Sequence, residues 1–295
     1  MYRIMIKGLG VALITPFCDD HKVDYQTIDK LVDRHLENHV DFLCILATTA
    51  ETPCLTASEQ AEIHRRIVER VDGKMPIVMG FSGNNTMQMA EQLKQLDTKG
   101  IDALLIAAPF YNRPTQEGLY LHYKTLAEAT TMPVILYNVP SRTGVNIEPE
   151  TVVRIARSCP SVIGIKEASG NKSQAEEIIS NAPSSFAVFS GDDVATLDLL
   201  RSGAVGAISV VANALPHMVE SMIQAHFRGE DSMAEDINNR LKPLYELLFK
   251  EGNPTGIKAL MAEQKQCRNI LRLPLMPATT ALQEKIGQCV AENKF

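Results

Sequence analysis

Short apolar runs rich in β-branched residues alternate along the chain with longer stretches whose apolar positions recur at helical spacing. The runs are Gly10-Val11-Ala12-Leu13-Ile14, Phe42-Leu43-Cys44-Ile45-Leu46, Ile77-Val78-Met79-Gly80, Ala103-Leu104-Leu105-Ile106, Val134-Ile135-Leu136-Tyr137, Val162-Ile163-Gly164-Ile165-Lys166, Ala187-Val188-Phe189-Ser190 and Val205-Gly206-Ala207-Ile208-Ser209-Val210. Continuous apolarity marks strands covered on both faces, as in a parallel sheet. The segments between them carry helix starts: Asp24 before an amphipathic run to His39, Thr56-Ala57-Ser58-Glu59 as a capping box, and Pro149-Glu150 at a first turn. Eight strand–helix units predict an α/β fold, a closed (β/α)8 TIM barrel, with a doubly wound open sheet as the alternative. From about residue 228 the strand signals stop, and helical stretches follow near 230–250, 255–264 and 279–293. The expected division is a barrel over 1–228 and a C-terminal three-helix extension over 229–295.

Length and charge fit that picture and remove several classes of partner. At 295 residues the chain exceeds the ~250 typical of one barrel by enough for a small appendage. Its 35 acidic residues outnumber 29 basic ones without any basic run, so a nucleic-acid partner is not expected. No stretch reaches the ~18 apolar residues of a membrane span, and residues 9–17, interrupted by Pro16, read as a first strand and not a leader. The cysteines Cys18, Cys44, Cys54, Cys159, Cys267 and Cys289 show no C-x-x-C pair, which speaks against a zinc site or a disulfide framework and fits a reducing cytoplasm. His35 and His39 lie four apart on a predicted helix with no third ligand, so a solvated helix face is expected there and not a metal. No G-x-G-x-x-G follows a strand, so no dinucleotide cofactor is expected.

In a barrel the C-terminal strand ends carry the chemistry. The sixth run ends in Lys166, where a buried amine is a nucleophile able to form a Schiff base with a ketone; the plain alternative is a lysine snorkelling into solvent. Alternation puts Val162, Gly164 and Lys166 on one face, so the missing side chain of Gly164 is expected to leave room for the lysine stem. The same parity pairs Ile135 with Tyr137, which brings a phenol beside the amine. Tyr111 offers a second rim phenol; each tyrosine serves either as a proton shuttle or as a packing residue. Thr48 and Thr49 suit a carboxylate or form an ordinary turn, and Asp192 or Asp193 is expected to cap the next helix. The small residues Gly203-Ala204-Val205-Gly206 read as tight strand packing and not as a phosphate site.

Taken together, Thr48-Thr49 before Glu51, Tyr-Asn-Val-Pro-Ser-Arg-Thr-Gly at 137–144, Gly-Ile-Lys-Glu-Ala at 164–168, Ser-Gly-Asp-Asp at 190–193 and Asn253-Pro254 resemble one family. It is the dihydrodipicolinate synthase branch of the pyruvate-dependent class I aldolases, to which N-acetylneuraminate lyase also belongs, and the likeness covers nearly the whole chain. The resemblance implies that Lys166 condenses with pyruvate while Tyr137 relays protons, and that Thr49 couples Tyr137 to Tyr111 of a neighbouring subunit. It further implies that Thr48 and Thr49 hold the pyruvate carboxylate, that Arg142 holds the carboxylate of L-aspartate 4-semialdehyde, and that Gly191 and Ile208 line the pocket. No cofactor or metal is needed for such chemistry, and a cytoplasmic homo-oligomer, a tetramer built from dimers, is implied. Arg142 argues against a sibling lyase acting on a 2-keto-3-deoxy sugar acid, whose hydroxyls want other partners. Retention of the lysine, both tyrosines, both threonines and the arginine argues against a silent scaffold. Ala47 and Ala50 stand where the family carries glycine, at a cost of about 1 kcal/mol if either position needs a positive φ.

Overall fold

The structure, a computed structural model, describes residues 6–295. Eight strands follow one another in chain order around a closed parallel barrel: β1 (Gly8–Ala12), β2 (Phe42–Ile45), β3 (Ile77–Gly80), β4 (Ala103–Ala107), β5 (Val134–Asn138), β6 (Val162–Glu167), β7 (Ala187–Ser190) and β8 (Gly206–Ser209). Each lies on an expected apolar run, and almost every strand residue is buried, as two-sided cover requires. β1 is set two residues earlier than its run suggests. The reason is local: the Ile14 N–H leaves the ladder and donates to the Asn213 side-chain oxygen at 3.0 Å.

Helices start where the sequence signals them. Asp24 accepts from the Thr27 N–H at 3.0 Å and opens the helix Tyr25–Glu37. At the helix Ala57–Val71, the Glu59 N–H donates to Thr56 Oγ1 at 3.2 Å while the Thr56 N–H donates back to Glu59 Oε2 at 2.9 Å, completing the capping box. Pro149 occupies the first turn of Pro149–Ser158, where its missing N–H costs nothing. The last strand is followed by the helices Pro216–Phe227, Asp231–Lys250, Thr255–Glu263 and Thr280–Asn293.

Two expectations are corrected. His35 is not on a solvated face: it completes the stripe Ile28, Leu31, Val32, His35, spaced i, i+3, i+4, i+7, and is fully buried. His39 falls beyond the end of that helix with φ 54°. Asp192 accepts from the Val194 N–H at 3.0 Å in a turn, whereas the helix Thr196–Arg201 starts later without a side-chain cap. All six cysteines are free thiols. Among the described residues no helix is long and apolar enough to cross a membrane.

Two compact units make up the described chain. One takes in Ile77–Ile208 and so contains β3 to β8; the other takes in Gly8–Pro76 with Ser209–Phe295, and so contains β1, β2 and the C-terminal helices. Parallel pairing runs without a gap from β3 to β8 in the first. Between β5 and β6 the register shifts after Val134, so that Val134 faces Val162 but Ile135 faces Gly164. Ile163 is the extra residue of this bulge.

Candidate active site

The bulge sets the next pair in register. Past it, Tyr137 lies opposite Lys166 and Asn138 opposite Glu167. The Lys166 amine sits 4.6 Å from the centre of the Tyr137 ring, and both residues are buried, with 4 % and 6 % of their surfaces exposed. The lysine therefore does not snorkel. A buried amine beside a phenol, at the carboxyl ends of adjacent barrel strands, is the arrangement that imine formation needs.

Room for the lysine stem comes from a different glycine than parity suggests. A Cβ on Gly164 would lie 2.5 Å from the Ala187 carbonyl oxygen and 3.0 Å from its Cβ, so the place below the lysine is already filled by β7. A Cβ on Gly191 would instead lie 2.9 Å from both Cγ and Cε of Lys166. Gly191 thus gives the stem its space, while its own N–H donates to the Glu167 carbonyl at 2.7 Å.

Next to the Lys166–Tyr137 pair lies a buried polar cluster that sequence reasoning missed. The Asn138 side-chain N–H donates to Asn146 Oδ1 at 2.8 Å and to Glu167 Oε2 at 2.9 Å, and its oxygen accepts from the Ile147 N–H at 3.0 Å. Gln174 donates to the same Glu167 oxygen at 3.1 Å, and the Ser169 N–H serves the other at 2.7 Å. Asn138 and Glu167 are the neighbours of Tyr137 and Lys166 on the opposite strand faces, so this cross-strand bond locks the register that aligns phenol and amine.

Arg142 is exposed on the short helix Pro140–Thr143, which Gly144 ends with φ 76°. The loop after β4 is tied to it: the Tyr111 N–H donates to the Thr143 carbonyl at 3.4 Å, and Arg113 Nε donates to the Gly144 carbonyl at 2.9 Å. Tyr111 itself is 89 % exposed with φ 74°. Ile208 is buried on β8.

Within the other unit, Thr48–Ala50 form a single 3-10 turn after β2, with Thr49 buried and Thr48 half-buried. Ala47 has φ −97° and ψ −165°, ordinary extended backbone, and Ala50 is not among the residues with positive φ. Alanine at these two positions is therefore free of backbone strain; the left-handed residues are those flanking the segment, Leu46 with φ 50° and Glu51 with φ 54°. Thr49 Oγ1 accepts from the Asn253 side-chain N–H at 2.9 Å. That bond leaves the threonine's own proton to be donated elsewhere. A second lysine, Lys258, pairs with Glu51 inside the protein. Its signal in the sequence is a cation inside the apolar run Gly256-Ile257-Lys258-Ala259-Leu260-Met261, all of it buried.

Comparison with known proteins agrees with this geometry. The model of the dihydrodipicolinate synthetase family matches residues 5–293. The chain belongs to that family. Among curated relatives, the 4-hydroxy-tetrahydrodipicolinate synthase of Phocaeicola vulgatus is 49 % identical over 295 residues, 100 % of this chain and 99 % of that protein. The solved dihydrodipicolinate synthase of Thermotoga maritima superposes with a TM-score of 0.95 at 38 % identity, covering 99 % of each chain. A monomeric dihydrodipicolinate synthase variant reaches the same TM-score at 38 % identity, covering 98 % of this chain and 97 % of that one. Family membership and the closed barrel accord with the strand-end motifs.

Proposed function

We propose that this chain condenses pyruvate with L-aspartate 4-semialdehyde to give 4-hydroxy-tetrahydrodipicolinate, the reaction named for its relatives. The observation that carries the reading is the buried Lys166 amine beside the Tyr137 ring. Lys166 Nζ attacks the ketone carbon of pyruvate, and loss of water from the carbinolamine gives an imine. Removal of a methyl proton turns the imine into an enamine, whose carbon attacks the aldehyde of the second substrate and forms the new C–C bond. The product's amino group then attacks the imine carbon, closes the ring and releases the lysine. Tyr137 moves protons to and from the carbinolamine oxygen, with Thr49 coupling it to Tyr111 of a neighbouring subunit.

Thr48 and Thr49 are assigned to the pyruvate carboxylate, and the exposed fork of Arg142 to the carboxylate of the semialdehyde. Gly191 and Ile208 line the site in this reading. Residues 1–228, the first five of which lie outside the described residues, are assigned to the catalytic barrel and 229–295 to its helical extension. The enzyme works in the cytoplasm as a homo-oligomer, a tetramer built from dimers, and needs no cofactor.

The test is covalent trapping. Incubation with pyruvate and borohydride should add one reduced pyruvate per chain by intact mass, and Lys166→Ala should add none while keeping its fold. An undiminished adduct in that variant sinks the mechanism. Trapping without turnover of aspartate semialdehyde would leave the Schiff base standing and reassign the second substrate.

A further inference from the structure

Glu51 adopts φ 54° and ψ 34°, the left-handed region that side-chain-bearing residues enter at a cost. Asparagine and aspartate reach it with help from short side chains that bond nearby backbone; glutamate is held there from farther along the chain. Its carboxylate is fully buried: one oxygen accepts from Lys258 Nζ at 2.5 Å and the other from the Arg272 N–H at 3.0 Å. Lys258, equally buried, gives a second bond to the Ile270 carbonyl at 2.9 Å and lies 4.2 Å from the centre of the Phe17 ring. The clamp thus joins segment 258–272 to the turn at 48–51, both within one unit.

Burying two ions recovers their lost hydration only when the geometry is good and the remaining donors and acceptors are occupied; an apolar pair of similar size is often as stable. A buried pair bonded further on both sides, at the end of a strained turn, is better explained by what the turn carries. Immediately before Glu51 stand the hydroxyls of Thr48 and Thr49, and Asn253, five residues before Lys258, donates to Thr49 Oγ1 at 2.9 Å. The turn closes through the Glu51 N–H to the Thr48 carbonyl at 3.1 Å, so a rotation at Glu51 displaces Thr48 directly.

We propose that the buried Lys258–Glu51 pair is a positioning device for the pyruvate-carboxylate site: it holds Glu51 left-handed and so fixes the hydroxyls and amides of the Thr48–Thr49 turn. The inference rests on the assignment of those threonines to pyruvate. Neither charge touches a reacting atom. Their influence passes through the turn, so it is felt first in pyruvate affinity and, through the place of Thr49 in the proton relay, more weakly in turnover.

Steady-state kinetics on the whole protein test this, after borohydride trapping has shown that the parent binds pyruvate; a parent that fails to trap it refutes the functional reading instead. Glu51→Gln/Lys258→Met, which removes both charges together, should raise the KM for pyruvate at least tenfold, a larger change than the fall in kcat at saturating pyruvate that follows from disturbing Thr49. Glu51→Gly/Lys258→Met should bring KM back toward the parent, because glycine takes a positive φ without a clamp. Lys258→Arg, which keeps the charge but moves its donors, should fold even if the double variants do not, and should raise KM severalfold. A merely structural pair would lower the melting temperature and leave the KM for pyruvate where it was. A pyruvate KM within twofold of the parent in Glu51→Gln/Lys258→Met, or in Lys258→Arg, overturns the proposal, and so does a glycine variant no better than the glutamine one.

Discussion

Two glycines that look alike in the sequence do opposite work at the site. An alanine at Gly164 would push its Cβ to 2.5 Å from a backbone carbonyl of β7, which cannot move without opening the ladder. An alanine at Gly191 would meet the flexible stem of Lys166 at 2.9 Å and the Ala168 Cβ at 2.8 Å. Gly164→Ala should therefore destabilise by about 1–3 kcal/mol, the ordinary cost of overpacking. Gly191→Ala should lose stability as well, because the Ala168 Cβ is fixed to its backbone, but unlike Gly164→Ala it should also slow pyruvate trapping at least tenfold, because the amine is driven off its place beside Tyr137. Melting temperature and trapping rate, measured on both variants, check the contrast; equal effects of the two on trapping would refute it. At this scale the sequence pointed to Lys166 and Tyr137 as neighbours at strand ends, and the structure places them side by side, whereas the roles of Thr49 and Arg142 follow from the family resemblance. The sequence hid Asn138 and Glu167, since a polar residue at the end of an apolar run reads as the start of a loop. Only the strand register shows that these two bond each other on the faces turned away from the pair.

Among the elements, the caps at Asp24 and Thr56 and the proline at 149 were legible because they act within one turn of chain. The cap expected at Asp192 or Asp193 was not, because a further turn intervenes before the helix, and the filling of a helix's inner face was legible only for apolar residues. His35 occupies a core position, and neither of its ring nitrogens has a hydrogen-bond partner among the described residues. Burial, helped by the charge of Arg34, holds its pKa at about 3. Burial likewise holds His122, bonded to Thr86 at 2.8 Å, at about 4. Both values lie below the ordinary histidine value of about 6.5, so the unfolded chain takes up protons that the folded chain refuses. The stability due to these neutral rings is complete above about pH 6.5 and is lost as pH falls toward 3–4, at up to about 1.4 kcal/mol per pH unit for each ring. His35→Leu should melt no lower than the parent at pH 7.5, since an unpaired buried polar group is replaced by an apolar one. Between pH 7.5 and pH 5 its melting temperature should fall less than the parent's. Identical acid dependence in the two proteins would show that His35 is not buried in neutral form.

For the molecule as a whole, the order of eight strands was readable because the same strand–helix unit recurs, each recurrence strengthening the last. Links between distant segments were not: Lys258 and Glu51 are 207 residues apart, and no local pattern pairs them. Assembly is also a property of this scale, and Tyr111 points to it. An aromatic side chain 89 % exposed, on backbone with φ 74°, is held outward by the Tyr111–Thr143 and Arg113–Gly144 bonds and by Asn112 donating to the Asn84 carbonyl at 2.9 Å. A rigid loop presenting a large ring suits insertion into a second copy, where the phenol can complete that copy's proton path. Sedimentation should then show a dimer or larger species, and Tyr111→Phe should assemble normally while losing about 10²-fold or more in kcat. The decisive experiment is to mix this variant with Lys166→Ala. Each parent assembly is defective, but after subunits exchange, a hybrid pair has one site with an intact lysine from one chain and an intact Tyr111 from the other. Random exchange of equal amounts makes half of the pairs hybrid with one of two sites complete, so activity should return to roughly a quarter of the unmodified enzyme's. Additivity of the two residual activities after full exchange would mean that each subunit uses its own Tyr111, and the shared-site reading would have to be given up.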